Sequence, residues 1–252
     1  MIRAAVAVLA LALAAPPAFA QDAATADDAI PCGYLCVDGV PLETFGDNPP
    51  DTELVKQIFV GAFSETCSWA IGGGPSMYEP ELFELTYRPS WDDPAEPERA
   101  LRIYRFFCNA GAYNEQHVYY SWTSSDGVQP LLFARPGYAV SYIDNSNPDT
   151  GLKSIELTGM GADARLVNST FDPATGTVIE MSCWRGLCDA SSRGQWQLSD
   201  GEFRLVTFDI DPTYDGEITL FRLVDYTQPL AIDTSTPVAD IAPQMSLDEE
   251  EE

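Results

Sequence analysis

Two stretches of this 252-residue chain repeat one template at an interval of 75 residues. The first reads Cys108-x2-Gly111-x2-Asn114, then Trp122, Asp126-Gly127 and Phe133. The second reads Cys183-x2-Gly186-x2-Asp189, then Trp196, Asp200-Gly201 and Phe208. The interval slips by one residue at the Trp and Asp-Gly positions and is back in register at the Phe. Upstream, Asp93-Pro94-Ala95 and Asp172-Pro173-Ala174 set a turn before the run that enters each cysteine. The glycines supply backbone angles other residues resist, Asp-Gly closes a tight hairpin, and a Trp at a fixed strand position fills a core. The template therefore predicts one small β unit present twice, near 82–135 and 155–210.

The hydropathy pattern agrees. From Leu82 to Tyr87 apolar residues alternate with polar ones, and period-two runs return at Leu101–Phe106, Val118–Trp122, Leu131–Phe133, Ile155–Leu157, Val178–Met181, Phe203–Leu205 and Ile218–Leu220. Turn signals bound each run. Parallel crossovers would need intervening helices, and no helical pattern lies between these runs, so the sheets are predicted antiparallel. One helix is expected from about Thr52 to Glu65, where Leu54, Val55, Ile58, Phe59, Ala62 and Phe63 recur at helical spacing behind Asp51 and Glu53. The predicted fold class is mainly β: two pseudo-repeated antiparallel units, forming a sandwich or adjoining small sheets, with one short N-terminal helix.

The flanks have a different character. Residues 1–20 carry one positive charge, an apolar run from Ala4 to Ala15 and a small-residue Ala18-Phe19-Ala20 ending, the pattern of a cleaved signal peptide. The expected location is thus periplasmic or secreted, with no transmembrane segment after cleavage. Residues 21–50 read as an extended arm, 51–229 as the β-rich domain, and 230–252, closing on Asp248 and four glutamates, as an acidic disordered tail.

Against 13 Lys and Arg stand 39 Asp and Glu, a net charge of −26. Such a surface repels nucleic acid and anionic lipid and favours a cationic protein or envelope component. Six cysteines in an exported chain make disulfides the default. Cys32 with Cys36 and Cys183 with Cys188 are close enough to clip local loops, which leaves Cys67 with Cys108 as the long-range pair.

At Cys108-Asn109-Ala110-Gly111-Ala112-Tyr113-Asn114 and again at Arg185-Gly186-Leu187-Cys188-Asp189 the chain resembles an exported bacterial family of unknown function, the DUF1176 proteins. The similarity covers about Leu101 to Glu217 and implies secretion and the repeated β fold. Where family members tend to read Arg-Gly-Leu-Gly-Asp-Cys-Gly, this chain has Cys188 two places earlier and Ala190 at the family's cysteine. The resemblance then implies a second-repeat disulfide rewired to Cys183.

For chemistry, the two Cys/Gly loops offer Tyr113, Asn114, Trp184, Arg185, Asp189 and Arg193, residue types that anchor interfaces when exposed on stiffened loops. The function expected from them is a noncatalytic binding or interaction module. A carboxylate-dependent hydrolase is the alternative, and a calcium-stabilised structural module the third reading. No cofactor other than calcium is expected. Its candidate ligands are Asp209, Asp211, Asp215 and Glu217, with Asp144-Asn145-Ser146-Asn147-Pro148-Asp149 a second oxygen-rich loop; neither has the glycine of an EF-hand at the sixth place. The lone imidazole, His117, lacks a Gly-x-Ser-x-Gly partner motif and reads as structural.

Overall fold

The computed structural model describes residue 46, residues 48–228 and the backbone at 36–37 and 40–41. Residues 1–35, with the expected signal peptide, Cys32 and most of the expected arm, and the acidic residues at the C-terminal end lie outside the described residues, and so does the expected pairing of Cys32 with Cys36. The chain divides into two units, Met1–Leu42 and Glu43–Glu252. In the first, Cys36–Val37 (β1) pairs antiparallel with Val40–Pro41 (β2).

The second unit is mainly β. It opens with a helix, Thr52–Phe63 (α1), whose first turn is capped by the Asp51 carboxylate accepting from the Glu53 N–H at 3.1 Å. The helix stops two residues before the predicted end. A short helix, Ser68–Gly72 (α2), and a 3-10 turn at Pro75–Tyr78 follow; Gly74, at φ 94°, makes the bend between them.

The strands are Glu81–Tyr87 (β3), Arg99–Ala110 (β4), Glu115–Thr123 (β5), Gly127–Pro130 (β6), Phe133–Asp144 (β7), Asn147–Asp163 (β8), Arg165–Val167 (β9), Thr170–Asp172 (β10), Thr177–Cys183 (β11), Ser191–Ser199 (β12), Glu202–Asp211 (β13) and Phe221–Asp225 (β14). One sheet runs β3-β4-β5-β6, with β9 sharing the second edge of β5 beside β6. Another runs β10-β11-β12-β13-β14. Every pairing among these strands is antiparallel.

The two sheets show the same succession, β3 to β6 against β10 to β13. In each, a strand carries the template cysteine at or within two residues of its end, the next strand carries the Trp, and Asp-Gly turns the chain back. The Asp-Pro-Ala turns also match: the Asp93 carboxylate accepts from the Ala95 N–H at 2.9 Å, and Asp172 accepts from Ala174 at 3.0 Å.

Period-two alternation sends the sides of the first sheet to different partners. Leu101, Ile103 and Tyr119 face a core shared with Val178, Trp196, Leu205, Phe208 and Ile210 of the second sheet. Tyr104, Phe106, Val118, Tyr120 and Trp122 face a separate core under Val55 and Phe59 of α1. The layers therefore run helices, first sheet, second sheet. Trp122 plugs the helix-covered side and Trp196 the side between sheets. The Trp196 ring lies over Gly194, where an added Cβ would collide with it, and its N–H donates to the Ala134 carbonyl at 2.9 Å.

Two expected strands are not where the alternation put them. Leu131 and Leu132 lie in a break between β6 and β7, and Phe133 opens β7, a long arm paired only with β8. Ile218 and Leu220 precede β14 in an irregular, exposed stretch, where the Thr219 N–H is taken by the buried Asp211 carboxylate instead of by a ladder.

Disulfides join Cys67 to Cys108 and Cys183 to Cys188, the expected pairs. The first ties α2 to β4; the second clips the loop after β11. No helix among the described residues is long and apolar enough to cross a membrane.

Candidate functional site

The two template loops meet. Asn114 and Cys183 exchange hydrogen bonds: the Asn114 amide donates to the Cys183 carbonyl at 2.7 Å, and its Oδ1 accepts from the Cys183 N–H at 3.1 Å. The Tyr113 hydroxyl donates to the Trp184 carbonyl at 3.3 Å, and its ring rests on Gly186. Asn168, held at φ 44°, completes the join, its amide donating to the Tyr113 carbonyl, Asn114 Oδ1 and the Met181 carbonyl at 3.0–3.2 Å. Each bond satisfies a polar group that a loop would otherwise leave to water. Asn168 escaped the sequence reading because its role depends on segments far apart in the chain.

Beyond this junction the loop from Trp184 to Ala190 is braced throughout. The Trp184 N–H donates to the Ala190 carbonyl at 2.8 Å, the Cys188 N–H to the Arg185 carbonyl at 2.9 Å, and the Trp184 ring stacks on Tyr138 with centroids 6.3 Å apart. Arg185 forms a two-pronged ion pair with the buried Asp189, whose carboxyl is held well below the usual range by that guanidinium. Arg185 also donates to the Tyr214 carbonyl at 2.7 Å and lies over the Tyr214 ring, while Asp189 accepts from the Gly216 N–H at 2.9 Å. What remains at the surface is Tyr113, 45% exposed, and Leu187, 75% exposed, on a loop that disulfide and hydrogen bonds hold in shape. Leu187 was missed in the sequence, where one Leu in a loop carries no pattern.

The six candidate binding residues thus divide. Tyr113, Asn114, Trp184, Arg185 and Asp189 come together, and of these Asn114 and Asp189 are absorbed in holding the loops. Arg193 lies apart on β12, opposite Met181 and Asp209, its Nε buried with no partner among the described residues. It sits next to Gly194, which faces Trp196, and so belongs to the other side of the sheet.

The calcium candidates do not form a set. Asp209 pairs with Arg222, and Asp211 accepts from the Thr213 N–H at 3.0 Å, its hydroxyl at 2.6 Å, and the Thr219 N–H. Asp215 accepts from the Glu217 N–H at 2.9 Å. These carboxylates are occupied in shaping the turn between β13 and β14. Among the described residues no three His, Cys, Asp or Glu side chains converge in a manner suited to a metal ion. In the second oxygen-rich loop the exposed Asp144 is likewise engaged in its own turn, accepting from the Ser146 N–H at 2.9 Å and hydroxyl at 2.7 Å.

His117 is buried on β5. Burial, and secondarily the nearby Arg105 charge, push its pKa down from 6.5 to about 4, so the ring is neutral and accepts from the Arg105 guanidinium at 2.9 Å. Enclosed and engaged by Arg105, the neutral ring is built into the packing of β5.

No family model matches the sequence, and no solved structure matches it. Over 149 residues, 59% of this chain, the sequence is 27% identical to the uncharacterized protein YpfG of Escherichia coli (strain K12), and the match takes in 36% of the length of YpfG.

Proposed function

We propose that the chain is a noncatalytic binding module of the cell envelope, periplasmic or secreted, which docks a cationic partner on the paired loops around Tyr113 and Leu187. One observation carries the reading: two loops from separate repeats are welded through Asn114, Cys183 and Asn168 and still leave an aromatic and an aliphatic side chain in solvent. Braced apolar anchors suit recognition because little side-chain and loop freedom is lost on binding. The net charge of −26 favours a basic partner and steers its approach. Disulfides fit an oxidising compartment.

The test compares capture from an envelope extract by the intact protein and by a Tyr113→Ala, Leu187→Ser double variant. A basic protein retained by the first, released by salt and lost by the second supports the reading. Equal capture by both would remove this surface from consideration.

A further inference from the structure

The two oxygen-rich loops of the sequence find a joint use in the fold. Although neither assembles a metal site, they converge: Asp149, at the start of β8, and Asp215, in the turn before β14, line one pocket of about 410 Å3. Pro148, Gly151, Leu152, Thr213 and Tyr214 complete its lining, which is of mixed character with the apolar part the larger. Arg185, which stacks on that ring and feels the Asp149 charge, is already neutralised by Asp189. The pocket therefore keeps the negative charge of its two carboxylates. Among the described residues no hydrogen bond reaches the Asp149 side chain, and Asp215 accepts from the Glu217 N–H with one oxygen.

Ligand sites are mostly apolar clefts with a few placed polar groups, and this pocket sets two acidic groups beside Pro148, Leu152 and Tyr214. Two carboxylates fall short of the six to eight oxygens that calcium takes. They suit a single organic cation whose aliphatic stem lies along Leu152 and Pro148 while its charge meets the acids. We propose that this pocket receives a lysine side chain of the docked partner. The inference rests on the docking reading above and deepens it, since Arg185 and Tyr214 join the pocket to the Trp184–Ala190 loop.

The probe is Nα-acetyl-lysine methylamide, titrated into the full 15N-labelled chain at low salt, with the norleucine analogue as the uncharged control and cadaverine as a free amine. Saturable shifts of the Gly151 and Thr213 amides are expected with the lysine compound and not with norleucine. Asp149→Asn and Asp215→Asn should each weaken the response about fivefold, in keeping with a partly exposed ion pair, without moving the melting temperature. No saturable shift, or an undiminished one in the double variant, overturns the proposal, as does markedly tighter binding of cadaverine, which would assign the pocket to free amines. The docking reading fails separately, through capture unaffected by Tyr113→Ala, Leu187→Ser, because those side chains do not line the pocket.

Discussion

His117 shows what burial does to a single residue here. Its folded-state pKa of about 4 lies below its ordinary 6.5, so folding favours the neutral ring. The stability this confers is complete above pH 6.5 and is lost as pH falls through 6.5 toward 4. A shift of this size is worth up to about 3 kcal/mol. Denaturant unfolding from pH 7 to pH 4.5 should therefore cost the native protein about 2–3 kcal/mol more than His117→Gln, whose amide oxygen still accepts from Arg105. Parallel losses would show that the imidazole does not carry the effect. Glu115 lies 3.9 Å from the ring nitrogen, and the ring is nonetheless held neutral by burial and Arg105. Single residues were the scale least legible in the sequence. Tyr113, Trp184 and Arg185 could be nominated by type, but Asn114 and Asp189 turned out to be fasteners, because an amide or carboxylate declares its partner only once the chain is folded. Asn114→Ala should accordingly cost about 1–3 kcal/mol of stability in calorimetry, the penalty for leaving buried groups of Cys183 unmet. A neutral result would mean water replaces the amide.

Among elements, legibility followed the strength of the period. α1, β3, β4, β5, β11 and β13 were visible because one side of each buries apolar residues against a defined layer, which forces alternation at 2.0 or 3.6 residues. β7 and β8 were underestimated for the converse reason. They pair only with each other, and from Glu156 to Ala162 every residue of β8 is exposed, so nothing imposed an alternating pattern. Ile218 and Leu220 mimicked a strand by chance in a turn organised by Asp211. The disulfide between Cys67 and Cys108 has a corresponding test at this scale. Its sulfurs sit among Phe59, Phe106 and Val118 in the helix-covered core and fasten α2 to β4 across 41 residues. Replacing both cysteines with Ser should lower unfolding free energy by about 2–5 kcal/mol and loosen α2 before the sheets. Hydrogen exchange that found α2 as protected as before would show that packing alone holds it.

Viewed whole, residues 48–228 are stacked layers in which the second sheet, with residues of the β7–β8 arm and β9, covers one side of the first. Leu101, Ile103 and Tyr119 share one core with Trp196, Leu205 and Phe208, and both ends are stitched as well, by Asn114 to Cys183 at one and by the Ser90 N–H to the Asp200 carboxylate at 2.7 Å at the other. A duplicated sequence invites the picture of two independent domains, but the duplication places Trp122 and Trp196 on corresponding sides of successive sheets, so each repeat needs what lies above it: helices for the first, the first sheet for the second. Such a shared core makes partial unfolding costly, since removing either sheet strips the other of its apolar contacts. The described β unit is thus expected to melt in one calorimetric transition, with the calorimetric enthalpy equal to the van't Hoff value, and a chain ending at Asn145 should not fold by itself. Two resolved transitions, or a cooperative melt from that shortened chain, would mean the first sheet finds sufficient cover in α1 and its own β7 arm, and that the layers are neighbours without being mutually dependent.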